Sequence, residues 1–92
     1  MAKKTYHTRN PDFSMTIQFK DRPIKIDGTA VQELRMREPT VGDELAVEGE
    51  KTSGRREVRL FANLCECTPA DIEAMPRALY GRLQDAFADF HS

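Results

Sequence analysis

Glu33-Leu34-Arg35-Met36-Arg37-Glu38-Pro39-Thr40-Val41-Gly42-Asp43-Glu44-Leu45 changes its hydrophobic period partway along. Before Pro39 the apolar residues alternate, as on a strand. After it they recur every third or fourth position, as on a helix. Pro39 cannot donate to a strand ladder and pushes Glu38 out of the helical region. Thr40 is placed to cap a helix, with Asp43 three residues on as its capping-box partner. Asp43 and Glu44 then fall in the first turn, where the helix dipole favours negative charge. Pro39, Thr40, Gly42 and Asp43 are therefore read as a structural joint, with a β part at 13–38 and a helical part at 40–90.

Working backward, Phe13, Met15, Ile17 and Phe19 alternate with polar residues and predict a strand with one apolar face. Pro23 argues against a central ladder position nearby. Asp27-Gly28 is a hairpin signal, because a type I′ turn needs positive φ. The returning strand is expected over Thr29 to Arg37, with Val31 on the wrong face unless a bulge intervenes. Two or three antiparallel strands are marginal alone and must lay their apolar face on helices. Residues 1–12 read as a flexible arm or a strand extension, and 13–92 as a single domain.

Working forward, a first helix is expected over Val41 to Lys51, with Val41, Leu45 and either Val47 or the stem of Glu48 facing inward. Gly49, Ser53 and Gly54 predict a mobile loop over Glu48 to Arg56. A second helix, from about Arg55 to Glu66, is apolar on two sides and so is expected at the centre. Thr68-Pro69-Ala70-Asp71 has a capping residue followed by proline at the first helical position, and starts a short third helix. Pro76 ends it and starts the last helix, to Phe90. The fold class is α+β: an N-terminal antiparallel β-hairpin packed on a C-terminal bundle of three or four short helices.

The last helix aligns Leu79, Tyr80, Leu83, Phe87 and Phe90 on one stripe. These are the candidate partner-binding residues, as a helix-in-groove surface. Burial in the chain's own core is the competing reading of the same stripe.

Composition narrows the function. The net charge is −1 among 92 residues, which gives no general case for nucleic acid or an anionic membrane. Charge is uneven, however. Met1 to Glu38 holds eight Lys/Arg against five Asp/Glu, whereas Pro39 to Lys51 holds one against four. That asymmetry suits self-association or an ordered protein partner. No stretch approaches the ~20 apolar residues of a membrane helix. The first residues lack the apolar run of a signal peptide, so a cytoplasmic protein with reduced thiols is expected.

No catalytic, cofactor or metal site is predicted, and no small-molecule substrate. His7 and His91 lie near the ends, where holding a group within catalytic tolerance is hard. Cys65-Glu66-Cys67 lacks the second pair of a zinc site, and Cys65 is expected in the core. Arg55, Arg56 and Arg59 precede helices spaced loosely like a helix-turn-helix, which keeps a small DNA-binding regulator as an alternative. Asp85 and Asp89 on the last helix would meet phosphates and count against it. A generic protein-interaction module is the other alternative.

The joint and its flanks carry a resemblance. Val31-x-x-Leu34-x-Met36-Arg37-Glu38-Pro39-Thr40-Val41-Gly42-Asp43-Glu44-Leu45 is followed by Leu60-Phe61-Ala62-Asn63-Leu64-Cys65 and by Thr68-Pro69 with Asp71-Ile72. Together these resemble the small tail assembly chaperones of contractile- and flexible-tailed phages and their prophages, the group of the E, 41 and 14 proteins. The resemblance spans roughly Ile17 to Phe90. It implies a non-enzymatic protein of the bacterial host cytoplasm, absent from the finished virion. Such a protein binds the tape measure protein, keeps its long apolar helices soluble and recruits tail tube subunits. It also implies that a longer frameshifted product often accompanies the short form. The Gly-rich linker Gly49 to Gly54 departs from what a continuous helix would show.

Overall fold

A computed structural model describes residues 4–91. Five short strands precede four helices, which gives the α+β class. They are β1 (His7–Arg9), β2 (Met15–Gln18), β3 (Ile24–Ile26), β4 (Thr29–Val31), β5 (Glu33–Met36), α1 (Val41–Ala46), α2 (Ser53–Leu64), α3 (Pro69–Glu73) and α4 (Arg77–Asp89).

The strands form two antiparallel sheets rather than one. β2 is central in the order β1-β2-β5, with Ile17 facing His7 on one side and Leu34 on the other. β3 and β4 form a separate hairpin. Its turn has positive φ at both Asp27 (52°) and Gly28 (80°), the type I′ geometry that its sequence demands. The expected returning strand is thus divided at Gln32. Val31 pairs in the hairpin and packs at the margin of the core, while Leu34 and Met36 stay on the inner face of the larger sheet. A change of sheet, rather than a bulge, resolves the mismatch of period.

The start of the chain, expected as a flexible arm or a strand extension, supplies β1. Residues 1–3 lie outside the described residues. Three residues of strand give little pattern to read, and besides its ladder with β2 the side-chain contacts that hold β1 come from the far end of the chain. The His7 ring nitrogen lies 3.1 Å from a carboxylate oxygen of Asp89, and Arg9 donates to the Asp89 carbonyl at 2.7 Å.

The inner face of the larger sheet, formed by Met15, Ile17, Leu34 and Met36, is fully or nearly fully buried. α2 packs beside β5, and α4 packs on β2 and β1. The two helices meet through Phe61, whose ring lies 5.6 Å from that of Tyr80 and 5.2 Å from that of Phe87. α2 buries Leu60, Phe61, Ala62 and Leu64, as its two apolar sides predict. It starts at Ser53, capped by the Thr52 hydroxyl, rather than near Arg55. The expected loop is correspondingly shorter, because a good cap outweighs the cost of Gly54 in the first turn.

α2 ends in a Schellman motif. Cys67 N–H reaches the Ala62 carbonyl at 2.9 Å, and Glu66 adopts φ 56° where glycine is usual. Cys65 is buried, as expected. Burial pushes its thiol up to about 12, so it stays protonated and inert at neutral pH.

Candidate functional site

The joint holds together through Thr40 and Asp43, both legible in the sequence, and through Arg37, whose role was not. Thr40 accepts from the Asp43 N–H at 3.2 Å, and an Asp43 oxygen accepts from the Thr40 N–H at 2.8 Å, completing the capping box. Asp43 also receives both arms of the Arg37 guanidinium at 2.7 Å. This fork and the Thr40 bonds hold the Asp43 carboxyl well below the usual carboxylate range. Arg37 N–H donates to the Leu64 carbonyl at 3.1 Å, which ties the joint to the end of α2. Gly42 has room for a side chain carbon, 3.6 Å from the Thr40 hydroxyl, so no close approach requires glycine there.

The helix so anchored does not bury its apolar face. α1 ends at Ala46, well short of Lys51, and none of its six residues is buried. Val41 is 75% exposed and Leu45 62%, the reverse of the inward orientation expected from their spacing. Val47, also offered as an inward residue, does enter the core, but from just past the helix, in a tight turn where its N–H bonds the Glu44 carbonyl. Periodicity identified two aligned residues, but a helix of less than two turns is too short for it to say which face points inward.

The β1–β2 turn adds a third exposed apolar side chain. Phe13 was expected on the apolar face of the first strand, but it lies in the turn, 58% exposed, with φ 71°. Positive φ costs a residue other than glycine about 1 kcal/mol. Side chains fix this turn: Asn10 donates to the hydroxyls of Ser14 and Thr16 at 3.0 and 2.9 Å. Asp12 accepts from Ser14 at 2.6 Å and forms an ion pair with Arg35. Because Met15 pairs with Met36, this turn sits at the end of the sheet from which the chain leaves for the joint. Phe13, Val41 and Leu45 are the exposed large hydrophobic residues among those described.

The α4 stripe behaves in the opposite way. Leu79 and Leu83 are buried in the chain's own core. Tyr80, Phe87 and Phe90 are partly buried against it. Tyr80 donates to Glu57 at 2.5 Å, and burial together with that carboxylate raises its pKa. Phe87 keeps an edge in a surface cleft of about 270 Å³ shared with Glu44, Val47 and Leu60.

Sequence reasoning also missed Arg82. It is buried, donates to the Gln18 carbonyl at 2.9 Å and forks onto Asp21 at 2.9 and 2.8 Å. The Tyr6 ring covers its guanidinium at 3.6 Å. The fork holds the Asp21 carboxyl down to about 2. The available signal was the place of Arg82 on α4, three residues after Leu79 and four before Ala86, on the same helical face. Its partner lies 61 positions away, which no local pattern reveals.

The other candidate groups do not converge. His91, just past α4, bonds the Phe87 carbonyl of that helix. Arg59 pairs with Glu50 at 2.5 Å, and acidic Glu50 and Glu73 share the surface cleft that Arg55 lines. Among the described residues no cluster of His, Cys, Asp or Glu is arranged to hold a metal ion, and no helix is long and apolar enough to cross a membrane.

The geometry defines a class: a small scaffold that fixes exposed apolar side chains on a polar-clamped helix and turn. The family described as phage tail assembly chaperone proteins, E, or 41 or 14, matches residues 16–92, and the chain belongs to it. No curated protein and no solved structure gives a significant match. Membership assigns a role in phage tail assembly, with protein partners.

Proposed function

We propose that the chain binds the tape measure protein in the bacterial host cytoplasm, keeps its apolar helices in solution and helps recruit tail tube subunits around it. It acts without chemistry and leaves before the tail is finished. The observation that carries this reading is the exposed apolar set of Phe13, Val41 and Leu45 on a member of this chaperone family. Isolated exposed apolar residues are ordinary on protein surfaces. Here two of the three share one helical face, and polar bonds that bury none of that helix hold it in place. Within this reading Tyr80, Phe87 and Phe90 contribute their exposed edges at most, since Leu79 and Leu83 are committed to the core.

Co-expression with fragments of the tape measure protein, followed by affinity capture, tests the proposal. The expected result is a soluble complex with at least one apolar helical fragment that is insoluble alone. Absence of capture at micromolar concentration for every fragment would overturn it. Adding tube protein to the captured complex tests recruitment separately.

A further inference from the structure

We infer that the end of the sheet carrying Phe13, Val41 and Leu45 is a docking surface for an amphipathic helix whose apolar stripe is flanked by basic residues. This rests on the reading of the chain as a helix-binding chaperone and assigns that activity a place and a partner chemistry. The apolar part is set by position. The β1–β2 turn and the start of α1 both leave the sheet at the Met15–Met36 pair. Val41 and Leu45, four residues apart, lie one above the other on α1.

Charge sets the rest. Of the arginines at this end, Arg35 pairs with Asp12 and Arg37 with Asp43, while Arg9 is turned toward α4, where it donates to the Asp89 carbonyl. Glu38, Glu44 and Glu48 are exposed, and their carboxylates make no hydrogen bond or ion pair among the described residues. Glu44 stands three residues from Val41 on α1 and so edges the apolar pair, and Glu48 lies in the turn just past the helix. A helix bearing lysine or arginine beside its apolar stripe meets this rim with opposite charge, whereas an acidic one meets repulsion.

Phe13 supplies an independent sign. It combines an unfavourable backbone conformation with an aromatic side chain left largely in water. Strained residues concentrate where structure serves binding, and rigid aromatic residues dominate interface energetics. Glycine suits φ 71°, so Phe13→Gly removes the ring without endangering the fold.

The test uses synthetic peptides of about 20 residues, long enough to form a helix. Each has a leucine stripe flanked by either lysine or glutamate. Titration into the isotope-labelled full chain is followed by amide shifts. The lysine peptide should bind, perturb Phe13 and residues 41–48, and bind at least about tenfold more tightly than the glutamate peptide. Phe13→Gly and Leu45→Ser should each weaken it by about tenfold or more. Equal binding of both peptides, shifts centred on Tyr80 and Phe90, no binding at millimolar peptide, or coverage of this end by a second copy of the chain would each overturn the inference. If the lysine peptide docks here while no tape measure fragment is captured, the surface stands and the proposed partner falls.

Discussion

α1 and α4 are built on opposite terms. α4 is held mainly by packing: Leu79, Leu83 and Ala86 are buried against the sheet beside the Arg82 fork, and it has no side-chain cap. α1 is held by polar bonds, with a full capping box and a forked arginine, and buries nothing. Both show apolar residues at helical spacing in the sequence. The comparison teaches that spacing tells which residues share a face, while the means of anchoring tells whether that face is needed for folding. A helix that packing holds has committed its stripe. A helix that its ends and its arginine hold leaves its stripe free.

The contrast predicts a ranking of substitutions. The largest effect belongs to Phe61, fully buried between the rings of Tyr80 and Phe87. Phe61→Ala should lower unfolding free energy by roughly 3–5 kcal/mol, read by urea titration. Most of a small domain's stability would go with it. Arg82→Ala comes next, at about 2 kcal/mol. It removes bonds to the Gln18 carbonyl and Asp21 along with the stacked Tyr6 contact. Loss of β1 should accompany it, visible as faster hydrogen exchange at residues 7–9. Thr40→Ala should cost about 1 kcal/mol, the usual worth of such a cap. That loss should be accompanied by faster exchange in α1 and little change in α4.

The acid limb of stability separates the regions further. Asp43 and Asp21 have carboxyl pKa values below their ordinary value, Asp21 at about 2, because each accepts an arginine fork. A depressed folded-state pKa means that the contribution is complete above about pH 4 and is lost as pH falls below that. Thermal melts should therefore be flat from neutral pH to about 4 and fall below it. Asp43→Asn should make that fall shallower. A protein that instead lost stability between pH 7 and 5 would contradict the assignment.

Much of this architecture was readable before any coordinates. The joint at Pro39–Thr40, the Thr40–Asp43 capping box, the Thr68 cap with Pro69 after it, the Asp27-Gly28 turn and the two-sided burial of α2 follow from local chemistry, which lies within a few residues. What was illegible depends on distance or on brevity. β1 is recruited by Asp89, 82 residues from His7, and Arg82 finds Asp21 across 61. α1 is too short for its period to fix an inward side, so Val41 and Leu45 read as core and proved to be surface. Phe13 continued an alternating run, yet the side chains of Asn10, Asp12 and Ser14 had already committed the chain to a turn. The candidate surface was thus hidden in residues that obeyed the pattern, while the stripe on α4 that suggested a partner serves mainly the core.

Leu45→Ser measured twice, for its unfolding midpoint and for its retention of a tape measure fragment, tests the central claim most directly. The account predicts a midpoint shifted by no more than about 0.5 kcal/mol in free energy, as for a surface position, with retention reduced at least about tenfold. Full retention by the folded variant, or destabilisation on the scale of a core residue, would contradict it.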